Sequence, residues 1–290
     1  MGHENTASVT NVKQRNVGDS GLRVSSLGLR TQSWTEAGRK VLESFVDEGG
    51  SLLDVSPSPA VARAVSHVGA RNLVTMLDLG VSMDRPVGQR VNCSRRSLLN
   101  QLDDSLRVLG LDSVDIITVG HFDPYTPAEE VAEALEFAVY SGRTHYSGAR
   151  EYAGWQLAVT PGLTCSVSEY SLLRRRADEE IFPAARYLGL GTIAHSVLAS
   201  GLLAGSAVTP VTPEAHPYDT PAARTIADAV HTAAHGLELP PAAVALSWVL
   251  SRVDAALVSV SSLTHLEELL AARDIPVAID RALEDVSRVG

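Results

Sequence analysis

Three residues able to move or hold protons stand where apolar runs of strand length end. Asp54 follows Leu52-Leu53, His121 follows Val114–Gly120, and His195 follows Gly191–Ala194. A carboxylate and an imidazole can work as an acid–base pair near neutral pH, and such groups accelerate proton transfers about 10²–10⁴-fold without any hydride. Asp54 and His121 are expected to face one another across a shared mouth. The bland alternative makes Asp54 a leftover acid paired with an arginine such as Arg30. His195 precedes Ser196, but neighbours on a strand point to opposite faces, so a base–nucleophile dyad is not expected. Asp54, His121 and Asp123 lack the His-x-His or HExxH spacing of a metal site, and none is expected. Cys93 and Cys165 are far apart with no CxxC, which argues against structural zinc and disulfides and for a reducing cytoplasm.

Strand-length apolar runs alternate with helix-period segments along the whole chain, the pattern of a parallel α/β fold. An Asp19-Ser20-Gly21 turn predicts a hairpin ahead of a first strand over Val24–Leu29. The leucines at 98, 102, 106 and 109 form one helical face ended by Gly110, and Thr126-Pro127-Ala128-Glu129 reads as a helix start. Further strands are expected at Leu52–Asp54, Asn72–Met76, Val114–Val119, Thr144–Gly148, Thr164–Val167, Gly191–His195 and Ala256–Val260. Helices are expected between them, and a Gly/Pro/Ser-rich segment, Ser200–Pro221, as a long loop. Eight strands with following helices predict a single (β/α)8 TIM barrel, residues 14–290, with an N-terminal β-hairpin and a loose polar tail over 1–13. No GxGxxG follows the first strand, which disfavours a Rossmann fold. The net charge of −10 disfavours nucleic acid and anionic membranes as partners, and no run approaches the ~20 apolar residues of a membrane span. A small-molecule substrate is the expected partner, with a homo-oligomer left open.

Several phrases carry a family resemblance: Ser20–Leu29, Asp115–His121 with Asp123-Pro124, Ser141–Gly148, Glu169–Leu173 and Ser196–Leu203. In order and over nearly the whole chain, they resemble the aldo-keto reductases, especially the branch of potassium-channel β-subunits and bacterial reductases. The resemblance implies a TIM barrel in which tyrosine, lysine, aspartate and histidine serve a hydride supplied by a nicotinamide cofactor. Matched residue by residue, the aspartate is Asp54 and the histidine His121, but the tyrosine is Pro59 and the lysine Met76. The only lysines are Lys13 and Lys40, and no tyrosine precedes Tyr125, so no register shift restores either. The family's Ser-Asn pair after strand 5 is Arg150-Glu151, its strand-6 glutamine is Val167, and its nicotinamide-stacking aromatic is His195. The glycine closing strand 1 is Arg30, and the adenine-contacting asparagine is Leu269.

These departures predict that NADP(H)-dependent reduction has been lost and that no cofactor is used. The expected activity is a dehydration, isomerisation or cyclisation with Asp54, His121 and Glu151 as catalytic groups, suited to bacterial natural-product biosynthesis. Arg30, Trp34, Arg150 and His195 are the expected substrate contacts. Arg150 and Arg30 also read as fillers of a vacated groove. The rival readings are an NADP(H)-dependent carbonyl reductase with an unusual proton donor and a non-catalytic binding or regulatory subunit.

Overall fold

The computed structural model describes residues 12–32, 34–83, 85–205, 218 and 220–288. Two short strands, β1 (Gln14–Asn16) and β2 (Arg23–Ser25), pair antiparallel as a hairpin. Eight parallel strands then close into a barrel in chain order: β3 (Leu27–Arg30), β4 (Leu52–Val55), β5 (Val74–Leu79), β6 (Val114–Val119), β7 (Thr144–Arg150), β8 (Cys165–Glu169), β9 (Gly191–His195) and β10 (Ala255–Ser259). Around them lie α1 (Gly38–Asp47), α2 (Pro59–Val68), α3 (Arg95–Leu109), α4 (Ala128–Tyr140), α5 (Gly154–Val159), α6 (Ile181–Tyr187), α7 (Pro221–Leu237), α8 (Pro241–Leu250), α9 (Leu263–Leu270) and α10 (Val277–Ser287).

The expected barrel and hairpin are therefore present, with shifted boundaries. The first barrel strand begins at Leu27, because Arg23–Ser25 pairs back onto β1 instead. Strand β5 runs to Leu79, three residues past the expected end, and so brings Asp78 onto the sheet. Residues 1–11 of the expected tail lie outside the described residues. Val12 is buried, and Lys13 pairs with Asp274 at 3.0 Å. Most of the expected 200–221 loop also lies outside them, but its start, Ala199–Ala204, is a tight 3₁₀ turn.

Strand side chains alternate between the barrel interior and the helices. Leu52, Met76, Ile116, Cys165, Val167, Ile193, Ala255 and Leu257 fill the interior, and Val17, Leu22 and Val24 of the hairpin plug its lower end. Gly18 and Gly191 make that plug: a Cβ on Gly18 would stand 2.3 Å from the Gly191 nitrogen. With the bottom sealed, ligands reach the interior only from the carboxyl ends of the strands, where barrels of this kind place their chemistry.

Candidate active site

The alternation that packs the interior also decides what faces the mouth. One step above the apolar layer, the inward positions are Arg30 on β3, Asp54 on β4, Asp78 on β5, Thr118 on β6, Arg150 on β7, Glu169 on β8 and His195 on β9. Register supports this ring, with Arg30 opposite Asp54, Asp78 opposite Thr118, and Glu169 opposite His195. Met76, opposite Asp54, is fully buried in the layer below.

Arg150 is the centre of the ring. Its Nη2 donates to Asp54 Oδ2 at 2.9 Å, and its Nε stands 3.4 Å from Asp78 Oδ2. Arg30 Nε donates to the same Asp54 oxygen at 3.1 Å. Burial opposes the charge on Arg150, but Asp54 and Asp78 outweigh it and hold the guanidinium firmly protonated. The resemblance places a lysine cation beside Asp54 at position 76. Here the cation comes instead from β7, across the barrel, and Met76 is apolar. Arg150 does not pair with Glu151, its neighbour in sequence, because the two point to different places.

Asp78 is a site residue the sequence reading missed, since the expected strand stopped at Met76. Its carboxyl is ringed by protein yet still meets solvent through the mouth, with the side chain 34% exposed. Crowding by the barrel wall pushes the carboxyl above its ordinary range. Arg150 and the Thr118 hydroxyl, which donates to Oδ1 at 2.8 Å, only partly counter this. The overlooked signal was the alternation itself, because Val74, Met76 and Asp78 share one face.

His121 does not face Asp54. Strand β6 ends at Val119, the position that approaches Asp78 is Gly120, and His121 is exposed. A Cβ at Gly120 would stand 2.9 Å from Asp78 Oδ2, so the Asp78 carboxylate sits where a side chain from position 120 would be. In place of the expected pair with His121, Asp54 is held by Arg150 and Arg30. Trp34 lies at the rim, half-buried, with its indole N–H donating to the Val260 carbonyl at 3.2 Å.

The loop that carries His121 is tied down by the buried Asp123. Its carboxylate accepts from the Cys93 and Tyr125 backbone N–H groups at 3.0 and 2.9 Å and from the Thr126 hydroxyl at 2.8 Å. Burial opposes ionisation, but these donors outweigh it and hold the carboxyl below its ordinary value. Asp123→Ala should cost about 1.5–3 kcal/mol in urea unfolding at pH 7, because it strands a buried N–H. A depressed carboxyl pKa stabilises the fold above the unfolded value near pH ~4. That contribution is lost as pH falls through the lower folded value. The loss caused by Asp123→Ala should therefore shrink as pH is lowered below ~4; a loss independent of pH down to acid unfolding would discount the charge.

On the other side of the mouth, Glu151 Oε1 accepts the Glu169 N–H at 2.7 Å and lies 2.5 Å from His195 Nε2. Burial opposes the Glu151 charge, but the His195 hydrogen bond and charge outweigh it and keep the carboxyl below its ordinary range. A cavity of about 420 Å³ opens beside this pair, lined by Arg30, Ser196, Ser200, Gly201, Ser261 and His265 among others. It runs under the 3₁₀ turn and the start of α9. Among the described residues no group of three His, Cys, Asp or Glu is placed to hold a metal ion, and no helix is long and apolar enough to cross a membrane.

Comparison with known proteins agrees with the barrel. The family model "Aldo/keto reductase family" matches residues 39–284. The uncharacterized oxidoreductase YrpG of Bacillus subtilis (strain 168) is 30% identical over 223 residues, 66% of this chain and 68% of that protein. Two proteins of Alternaria alternata, the aldo-keto reductases AFTS1 and AMT2, are 30% and 31% identical over 67% and 68% of this chain. This chain spans only 58% and 57% of their lengths.

These matches overturn the expectation that no cofactor is used. Reductases need a hydride source, which no side chain supplies, and in this family it is a nicotinamide dinucleotide. The structure fits its phosphate-bearing half. The cavity wall offers the Arg30 cation, the Ser196, Ser200 and Ser261 hydroxyls, and the start of α9, whose first turn Ser262 caps by accepting the His265 N–H. Helix starts and arginine favour phosphate, although Glu268 on the same wall opposes it.

Proposed function

The chain belongs to the aldo/keto reductase family, and from that premise we propose that it is an oxidoreductase acting on a small carbonyl compound, with a carboxylic acid in place of tyrosine as the proton donor. The observation that carries this reading is the buried Arg150 guanidinium. It is fixed by Asp54, yet its Nη1 has no hydrogen-bond acceptor among the described residues. A buried donor left unpaired costs roughly 1–3 kcal/mol, and a carbonyl oxygen is an acceptor that would relieve it.

Each group has a separate task in this reading. Asp54 anchors Arg150 and Arg30. Arg150 polarises the carbonyl by hydrogen bonding and charge. Asp78, adjoining Arg150 and open to the mouth, holds the proton that the carbonyl oxygen needs, and its raised pKa suits it to that task. A nicotinamide dinucleotide in the cavity beside Ser196, Ser261 and His265 would supply the hydride. Glu151 and His195 stand behind Ser196, which lines that cavity, and His121 takes no part.

A second reading is favoured by the absence of a tyrosine and a lysine from the inward ring. The same Asp78 and Arg150 would serve a dehydration or isomerisation of a hydroxy-carbonyl compound. Titration with NADPH, followed by the cofactor's fluorescence, tests the first reading. Binding with Kd at or below ~100 µM is expected, together with NADPH consumption on a panel of small aldehydes and ketones. An absence of binding up to ~1 mM would overturn it.

A further inference from the structure

His195 and Ser196 do not obey strand alternation, and the departure creates a chemical group that the carbonyl reading uses only through the Ser196 hydroxyl on the cofactor cavity. Strand β9 ends at His195, and Ser196 takes φ +56°. In that left-handed conformation its side chain swings back to the same side as the imidazole, and Ser196 Oγ lies 3.0 Å from His195 Nδ1. The opposite ring nitrogen, Nε2, is 2.5 Å from Glu151 Oε1. A carboxylate can only accept here, so in the neutral imidazole Nε2 carries the proton and Nδ1 is left as the acceptor for the serine hydroxyl.

We propose that Ser196, His195 and Glu151 form a serine–histidine–glutamate triad that takes small carboxylic esters or thioesters as acyl donors. The three roles follow the usual logic of nucleophile, base and orienting acid, which is defined by geometry and not by fold. Glu151 is held in place by the Glu169 N–H as well as by His195. It too has a left-handed backbone, at φ +56°. Such conformations cost roughly 1–3 kcal/mol each in non-glycine residues and gather at functional sites. Two of the three members bear that cost.

The nucleophile also has somewhere to receive a substrate. Ser196 lines the 420 Å³ cavity, where Leu198, Ala204, Leu257 and Val258 offer an apolar wall for a short acyl chain. Arg30 lines the same cavity with only its Nε engaged, by Asp54, among the described residues, leaving its other N–H groups to meet an oxyanion. In the first step the Ser196 Oγ–acyl carbon bond forms and the ester C–O or thioester C–S bond breaks. The serine proton passes to His195 Nδ1 and leaves on the departing alcohol or thiol. Water, giving its proton to the same Nδ1, then cleaves the acyl-serine to the free acid and restores the hydroxyl.

The test uses a fluorophosphonate, which phosphonylates activated serines with loss of fluoride, read by intact mass and peptide mapping, alongside hydrolysis of p-nitrophenyl acetate and butyrate. One adduct on Ser196 is expected, with a labelling rate ~10²-fold lower in Glu151→Gln and in His195→Gln. Ser196→Ala should neither label nor hydrolyse the esters. Ser196→Gly provides the folding control, because glycine accepts φ +56° without strain; it should melt at or above the wild-type temperature and also fail to label. An unlabelled wild-type protein, an adduct that persists in Ser196→Gly, or a labelling rate unchanged in Glu151→Gln would overturn the triad. None of these readouts involves Asp78, Arg150 or NADPH, so their failure leaves the carbonyl reading standing.

Discussion

Arg150→Met should lower the unfolding free energy by about 3–5 kcal/mol at pH 7, read from the urea midpoint at unchanged m-value. The substitution keeps length and apolar volume but removes the cation that binds Asp54 and adjoins Asp78. Among the described residues Asp54 would keep only Arg30, whose side chain is partly in solvent. An acid left with so little compensation inside a barrel is the expensive outcome, since desolvation is no longer offset. The effect should be strongly non-additive. In Asp54→Leu/Arg150→Met both charges are gone, and the double variant should be more stable than Arg150→Met alone. A loss below ~1 kcal/mol in the single variant, the range of an exposed pair, would mean that water reaches the ring freely.

The same ring explains which features could be read from the chain and which could not. The barrel was legible because strand-length apolar runs repeat eight times between helix-period segments, and each repeat supports the others. Charge at the mouth was legible at Arg30, Asp54, Arg150 and Glu151, which stand at strand ends. The partners were not. Arg150 could be foreseen as a filler, but its reach across the barrel to Asp54 depends on barrel stagger, which no local pattern encodes. Two errors came from strand ends. Ending β5 at Met76 hid Asp78, and counting His121 as inward overlooked that the position approaching Asp78 is Gly120. A third came from applying alternation beyond the strand. Ser196 lies one residue past β9, where a left-handed φ replaces the pleat and brings it round to His195. The cofactor expectation failed differently: it rests on the summed loss of family contact residues, while the cavity wall of Arg30, Ser196, Ser261 and the start of α9 is not visible in sequence.

Asp78→Asn should separate activity from stability in the opposite sense to Arg150→Met. If Asp78 supplies the proton, its amide should lower turnover of a carbonyl substrate by about 10²–10⁴-fold, with little change in NADPH affinity. The pH dependence follows from the raised pKa. The acid works while protonated, so wild-type turnover should fall as pH rises through the Asp78 value, above the ordinary aspartate range, and that limb should vanish in Asp78→Asn. Stability runs with the same sign. A carboxyl whose pKa is raised by folding favours the native state below its unfolded pKa, and that advantage is lost as pH rises through the folded value. At pH 8 Asp78→Asn should therefore be at least as stable as wild type, since it removes a charge whose burial outweighs its attraction to Arg150. Turnover that survives in Asp78→Asn within a factor of ~3 would remove Asp78 from the chemistry. Lost turnover accompanied by a destabilisation as large as that of Arg150→Met would instead mark Asp78 as a structural partner of the buried arginine.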